Sequence, residues 1–209
     1  MIEIKNQFAR NILFWIVTLP VLFLLLAPVM LDSEDFKVPA EEIQTLKTLG
    51  RDTKAITEQA NAIFRSAFVD TGAVAYSHSL LTTATPITQH GVKVAADVSN
   101  SYVLGFWHLV YRAVWRIAGL WPVLSVLLLC VVLPAIVDGL AIRGRKLDQF
   151  RQHNPVIFWA SAHSAISVAG VFMILPLLPI PISVTVLYLA VAGVALSLWT
   201  TAANLQTGT

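Results

Sequence analysis

Three long apolar stretches dominate the hydrophobic pattern of the chain, at residues 12–31, 120–142 and 156–203. A helix needs about 20 apolar residues to cross the hydrocarbon core of a bilayer. The third stretch is roughly twice that length, and prolines occupy three of the positions 176–181 near its middle. Because proline interrupts helices, this stretch predicts two helices joined by a tight hairpin. The pattern therefore predicts an all-α integral membrane protein with four transmembrane helices.

The apolar stretches and the polar sequence between them divide the chain into nine segments. We predict transmembrane helices at residues 12–31, 118–142, 156–177 and 182–203. Three segments are predicted to be cytoplasmic: the N-terminus at 1–11, a basic loop at 143–155 and a tail at 204–209. Two are predicted to be periplasmic: a helical insert at 32–117, between the first and second helices, and a hairpin at 178–181.

The positions of the basic residues predict this orientation, because cytoplasmic loops carry an excess of lysine and arginine. Two basic residues precede the first helix, and four lie in the loop between the second and third helices: Arg143, Arg145, Lys146 and Arg151. An acidic run at 32–35 follows the first helix, with no small-residue cleavage site, so we expect an uncleaved anchor. Arg112 and Arg116 are exceptions on the outer side, where we expect them among headgroups or reaching water.

Composition and charge narrow the class of function. The chain is 56% hydrophobic and 12% charged, against about 25% charged residues in soluble domains. Its formal net charge of +2 leaves no large basic surface, so we expect no direct nucleic-acid binding. The single cysteine, Cys130, excludes an intrachain disulfide and a cysteine-based zinc site.

The insert shows two helical patterns. Apolar residues recur at helical spacing over 39–70, and Gly72 is placed to end that helix. Residues 73–85 are rich in serine, threonine and alanine and are typical of a connector. A second helix is predicted from Pro86 towards Pro122, so the insert is expected to be a helical hairpin.

Three aromatic residues of the insert, Trp107, Tyr111 and Trp115, gather near the predicted outer surface of the bilayer. Tryptophan and tyrosine favour that depth because one end of each ring system is apolar and the other is polar. The cluster is either an ordinary interfacial belt or a docking surface for a partner helix, and the sequence leaves both readings open.

Two ionisable residues lie inside apolar stretches. Asp138 precedes Arg143 by five residues, which suggests an ion pair at the end of the helix or a contact with a partner helix. His163 lies about two turns into the third helix and is expected to be a packing histidine or, less simply, a proton-transfer group. A pairing between Asp138 and His163 is left open.

Small residues recur at every fourth position in the last two helices, which favours close packing of these helices against each other. The positions are Ser161, Ala165 and Ala169 in the third helix, and Gly193 and Ser197 in the fourth.

Motifs of catalytic chemistry are missing from the sequence. It contains no Walker-type glycine loop, no HExxH, no dense histidine or carboxylate cluster and no nucleophile elbow. We therefore predict no catalytic residue, no cofactor and no metal site, and a protein that is not an enzyme.

The second and third helices resemble a known family. The residues that carry the resemblance are the runs 120–122, 133–140, 143–146, 153–155 and 161–163. They are similar to the integrating conjugative element membrane proteins, small inner-membrane proteins encoded beside the coupling ATPase of bacterial conjugation. The resemblance implies the bacterial inner membrane and a role in or beside a type IV secretion machine, and it carries no catalytic residues.

These observations predict a non-enzymatic accessory subunit of a hetero-oligomer, which binds or stabilises the coupling ATPase through transmembrane helix packing alongside other conjugation membrane proteins. The basic loop is then either a plain orientation signal or a contact with the ATPase or anionic lipid. Two alternatives are kept. One is a small transporter or channel subunit with a path through Asp138 and His163. The other is an entry-exclusion or surface-sensing membrane protein acting through residues 32–117.

Overall fold

The computed structural model describes residues 7–81, 90–149 and 154–205, and every regular element in these ranges is helical. The helices are α1 (Phe8–Met30), α2 (Ala40–Thr48), α3 (Thr53–Phe64), α4 (Ala73–Leu81), α5 (His90–Leu127), α6 (Leu133–Asp148), α7 (Pro155–Ile174) and α8 (Val184–Ala203). Short π-helical segments lie within α1 at Leu13–Thr18, after α3 at Arg65–Val69 and between α5 and α6 at Leu128–Val132.

Four helical stretches of the described residues are long and apolar enough to cross a membrane: Phe8–Met30, Val98–Asp148, Pro155–Leu177 and Val184–Ala203. The predicted all-helical class and the predicted number of such helices are therefore confirmed. The prolines act as expected, since α7 ends at Ile174 and α8 begins at Val184.

The chain forms two compact units. The bundle unit comprises Met1–Pro20, Pro122–Leu175 and Ser183–Thr209, and the insert unit comprises Val21–Trp121 and Pro176–Ile182. The hairpin between α7 and α8 thus belongs to the same unit as the insert, although some 60 residues of chain separate them.

Polar residues fix the starts of three helices by accepting bonds from backbone N–H groups that the first turn leaves unpaired. Asp52 caps α3 through Lys54 N at 2.9 Å. Asn154 caps α7 through Val156 N at 2.9 Å, followed by Pro155 in the first turn. Ser183 caps α8 through Val186 N at 3.3 Å and so restarts the helix after the proline hairpin.

The continuous helical pattern predicted over 39–70 is divided by a turn at Gly50. This glycine has φ of 71°, a left-handed conformation that other residues rarely adopt. Gly50 N donates to Lys47 O and Arg51 N to Leu46 O, both at 2.9 Å, which is the Schellman arrangement that ends a helix. The sequence pattern thus predicted helical structure over 39–70 correctly but did not predict the turn at Gly50 that separates α2 from α3.

The predicted connector at 73–85 is wrong over its first part, because α4 occupies Ala73–Leu81. Its serines donate within the helix, Ser77 to Val74 O and Ser79 to Tyr76 O at 2.8 Å each, so their hydroxyls do not compete with helix formation. The insert therefore has more helices than the predicted hairpin. Residues 82–85 and the predicted start at Pro86 lie outside the described residues.

In the bundle unit, α8 packs between α6 and α7, and α7 also contacts the first turns of α1. Two glycines mark the closest approaches. A Cβ on Gly139 would lie 2.6 Å from Trp199 O, and one on Gly170 would lie 2.7 Å from Trp15 O. Close backbone approach of this kind is how apolar helices associate where the hydrophobic effect between them is weak.

The insert unit has its own small core. Ala27, Phe36 and Leu109 are buried together, and Leu177 of the hairpin packs against them. Gly105 of α5 lies beside this core, where a Cβ would meet Pro28 at 3.5 Å and Phe36 at 3.6 Å, both ordinary contact distances. The next residues along α5 carry the polar cluster described below.

Candidate functional site

Two arginines and one glutamate form a fully buried cluster in the insert unit, which we call the arginine cluster (Glu42, Arg112 and Arg116). The side chains are 3%, 1% and 1% exposed. Arg112 Nη2 donates to Glu42 Oε1 at 2.6 Å, and Arg116 Nε donates to Glu42 Oε2 at 3.1 Å. Arg116 Nη2 also donates to Glu42 Oε1. One carboxylate thus bridges two guanidinium groups.

The local sequence explains this arrangement. Arg112 and Arg116 are four residues apart on α5 and therefore project from the same face. Glu42 lies in the first turn of α2, which begins directly after Pro39 and also places a carboxylate near the positive end of the helix dipole. The pairing joins segments 70 residues apart in sequence.

Backbone carbonyl groups supply most of the remaining acceptors. Arg112 Nη1 donates to Asp35 O at 2.8 Å and to Pro179 O at 3.0 Å. Arg116 donates to carbonyls of the proline hairpin: Pro176 O at 3.0 Å, Ile180 O at 2.6 Å, and Leu178 O. A segment so rich in proline has few N–H groups to pair with its own carbonyls, so the guanidinium groups take that role.

The balance of charges in the arginine cluster limits the roles it can have. A buried charge is costly unless it is paired and hydrogen-bonded, and two cations here share one anion. The carbonyl dipoles offset part of the excess positive charge. Because guanidinium groups remain protonated at physiological pH, the cluster is suited to clamping the hairpin onto the insert and not to acid–base chemistry.

The predicted position of Arg112 and Arg116, among headgroups or reaching water, is wrong. Both are buried against polar partners instead. Two arginines at helical spacing on an otherwise apolar stripe call for a buried acid, but nothing in the sequence identifies Glu42, 70 residues away, as that acid.

The predicted aromatic cluster is largely engaged within the insert unit. Trp115 is 3% exposed and donates to Thr57 Oγ1 at 3.1 Å, which leaves little of its surface for a partner. Trp107 donates to Ser77 Oγ, and Tyr111 donates to Asn61 Oδ1, each at 2.8 Å. Trp107 and Tyr111 remain half-buried, and their contact with lipid or a partner stays a prediction.

A cleft of about 630 Å³ opens beside these aromatic side chains in the insert unit. Trp115, Tyr111 and His108 of α5 line one part of it, and Ile43 and Thr57 line another. His108 Nδ1 contacts Ser33 O at 3.1 Å, which fixes the ring. The surface of the cleft is mostly apolar, and Lys37, Lys54 and Glu58 add charged groups to its lining.

The predicted basic contact residues behave differently from one another. Lys146 Nζ donates to Ala203 O and to Asn204 Oδ1, both at 3.0 Å, so it is committed to the end of α8. Arg145 is exposed, and Arg143 is half-buried. Arg151 lies outside the described residues. These residues lie in the last turns of α6, which extends to Asp148, so the predicted loop over 143–155 is helical at its start. A free cationic surface at this end of α6 rests on Arg145 and on part of Arg143.

Asp138 and His163 each have other partners. Trp199 Nε1 donates to Asp138 Oδ2 at 2.7 Å, which joins α6 to α8. His163 Nδ1 is 2.8 Å from Asn11 Nδ2 and connects α7 to α1. No salt bridge among the described residues joins Asp138 to Arg143, so the expected ion pair is not formed.

Three of the small residues singled out in the last two helices, Ser161, Gly193 and Ser197, make contacts between α7 and α8. Thr201 Oγ1 donates to Ser161 Oγ at 3.1 Å, and Ser164 Oγ is 3.1 Å from Ser197 Oγ. A Cβ on Gly193 would meet Val168 at 3.6 Å, an ordinary contact. Ala165 and Ala169 are half-buried. Among the described residues, no group of three or more His, Cys, Asp or Glu side chains is placed to hold a metal ion.

Comparison with known proteins identifies the family. A family model described as IncC plasmid conjugative DNA transfer protein DtrJ-like matches residues 23–206. Neither a curated protein nor a solved structure matches the chain. The match confirms the resemblance to a conjugation-associated family, although it names a plasmid and not an integrating element. Because the match covers most of its length, the chain belongs to the DtrJ-like family of conjugative DNA transfer proteins.

Proposed function

We propose that the chain is a non-enzymatic accessory subunit of a conjugative type IV secretion apparatus, inserted in the bacterial inner membrane, that binds and stabilises the coupling ATPase through its transmembrane helices. Membership of a conjugative DNA transfer family supports the process. The observation that carries the proposed mode of action is the large apolar surface that the candidate spans leave uncovered.

That surface is extensive on all four spans. In the most apolar 18-residue part of each, the buried share is 11%, 11%, 17% and 28% in chain order. Leu13 of α1, Leu129 between α5 and α6, and Leu189 of α8 are 57%, 64% and 68% exposed. The hydrophobic effect does not distinguish a lipid acyl chain from a partner helix on such a surface. Whether two helices associate therefore depends on how closely their surfaces fit and on small residues at the contact.

The composition of the two units supports the proposed topology. The insert and the hairpin, both assigned to the periplasmic side, belong to the insert unit. Within the bundle unit, Lys146 near the end of α6 bonds to Asn204 at the end of α8, and Asn11 near the start of α1 bonds to His163. Four spans bring these ends to one side of a membrane, the cytoplasmic side by the excess of basic residues.

The transporter alternative gains no support from the contacts. A polar path through the bundle requires ionisable groups that relay protons or ions to one another. Asp138 is held by Trp199, and His163 by Asn11 and two aromatic rings. We therefore favour the scaffold role over a transport role.

Photocrosslinking in conjugating cells tests the ATPase contact. A photoreactive residue is placed at Leu13, Leu129 or Leu189, one exposed position on each of three faces, and the protein is purified in mild detergent. We expect a crosslink to the coupling ATPase from at least one face. Leu187, on the same helix as Leu189 but 1% exposed, is the matched control and should give no intermolecular crosslink. Absence of the ATPase at all three faces would refute the proposal.

A further inference from the structure

A polar pocket lies at the start of α1 in the bundle unit, which we call the N-terminal pocket. It has a volume of about 380 Å³ and is lined by Gln7, Arg10, Asn11, Phe14 and His163. We propose that it binds the phosphate group of an anionic phospholipid. This inference rests on the membrane insertion contained in the proposed function, and not on the contact with the ATPase.

The positive charge of Arg10 favours binding of an anion in this pocket. Arg10 is exposed, and no salt bridge of the described residues involves it. The guanidinium group donates to Gln7 Oε1 at 2.5 Å, which orients it without neutralising it. A planar guanidinium with free donors matches the oxygens of a phosphate group better than any other side chain does.

His163 supplies a second donor. Its Nδ1 is 2.8 Å from the amide nitrogen of Asn11. An amide nitrogen donates, so in this contact Nδ1 is the acceptor, which leaves Nε2 as the ring nitrogen that can donate to a ligand. The ring is held by aromatic contacts, with centroids 4.7 Å from Phe8 and 6.4 Å from Trp159. The imidazole is thus fixed in position by contacts on more than one side.

The surroundings favour a lipid over a soluble anion. Phe14 forms an apolar part of the pocket and is 46% exposed, and the neighbouring Leu13 is 57% exposed. A polar site continuous with an apolar helix surface suits a molecule with a charged headgroup and an acyl chain. Basic pockets between transmembrane helices on the cytoplasmic side, where anionic lipids are concentrated, are typical headgroup sites.

Native mass spectrometry of the purified full-length protein tests this proposal. Phosphatidylglycerol, which is anionic, and phosphatidylcholine, which carries the same phosphodiester in a neutral headgroup, are titrated separately. We expect phosphatidylglycerol to bind more tightly, and Arg10→Gln to weaken it roughly tenfold, the factor that corresponds to about 1.4 kcal/mol. His163→Phe, which keeps the stacking but removes the ring donors, should also weaken binding.

Arg145→Gln is the matched control, since it removes one exposed positive charge outside the pocket and should change binding by less than about twofold, as surface charges contribute little. Equal losses for Arg10→Gln and Arg145→Gln, or no loss for Arg10→Gln, would overturn the proposal. So would calorimetry in which inorganic phosphate binds the wild-type protein as tightly as the lipid does. The purified protein contains no ATPase, so these outcomes are independent of the crosslinking result.

Discussion

Replacing Glu42 with glutamine is expected to destabilise the insert unit by about 3–5 kcal/mol, the usual cost of removing one partner from a buried ion pair. The change leaves Arg112 and Arg116, each 1% exposed, without their shared anion. Hydrogen exchange of the backbone amides in α2 and α5, measured by mass spectrometry, reports the loss. Opening of the unit should become at least a hundredfold more frequent, since about 1.4 kcal/mol corresponds to a factor of ten.

Glu41→Gln is the control for this experiment. It removes the same charge from the first turn of the same helix, but Glu41 is exposed, and surface changes usually alter stability by less than about 0.5 kcal/mol. The amides of α6 and α8 in the bundle unit supply an internal reference. If the two glutamine variants exchange at equal rates, the arginine cluster does not stabilise the insert.

Replacing Gly139 with leucine is expected to cost about 1–3 kcal/mol by overpacking the contact between α6 and α8. A Cβ at this position would lie 2.6 Å from Trp199 O and 2.9 Å from Ala202 Cβ, and backbone atoms cannot move aside as a flexible side chain can. The helices would have to separate, which would also break the bond from Trp199 to Asp138. Thermal unfolding of the purified protein in detergent measures the effect.

Gly144→Leu is the matched control because Gly144 lies in the same helix and has no atom within 4 Å of a built Cβ. Replacing glycine with leucine raises helix propensity by about 1 kcal/mol at both positions. The difference in stability between the two variants therefore measures the cost of overpacking at Gly139. We expect Gly144→Leu to be neutral or stabilising. A Gly139→Leu protein as stable as the Gly144→Leu protein would mean that α6 and α8 are not in close contact.

Features that depend on local sequence could be predicted. The four long apolar helices follow from apolar length, and the break before α8 follows from the prolines at 176–181. The start of α2 after Pro39 also follows, because two acidic residues fill its first turn. In each case the causal residues lie within or next to the element itself.

Features that depend on distant partners could not be predicted. Arg112 and Arg116 were expected near water because their partners are an acid 70 or more residues earlier and carbonyls 60 or more residues later. His163 meets Asn11 across 152 residues. The helix at Ala73–Leu81 was missed for a different reason: serine hydroxyls were counted against a helix, yet here they bond to its own carbonyls.

The central claim is that residues 32–117 and the basic loop lie on opposite sides of the membrane. Cysteine labelling tests it most directly, with Cys130→Ser to remove the native thiol and a single cysteine introduced as Gln59→Cys or Gln149→Cys, both at exposed positions. We expect a membrane-impermeant maleimide to label the Gln59→Cys protein in cells with a permeabilised outer membrane, and the Gln149→Cys protein only after lysis. Labelling of both proteins before lysis, or of neither, would contradict the account.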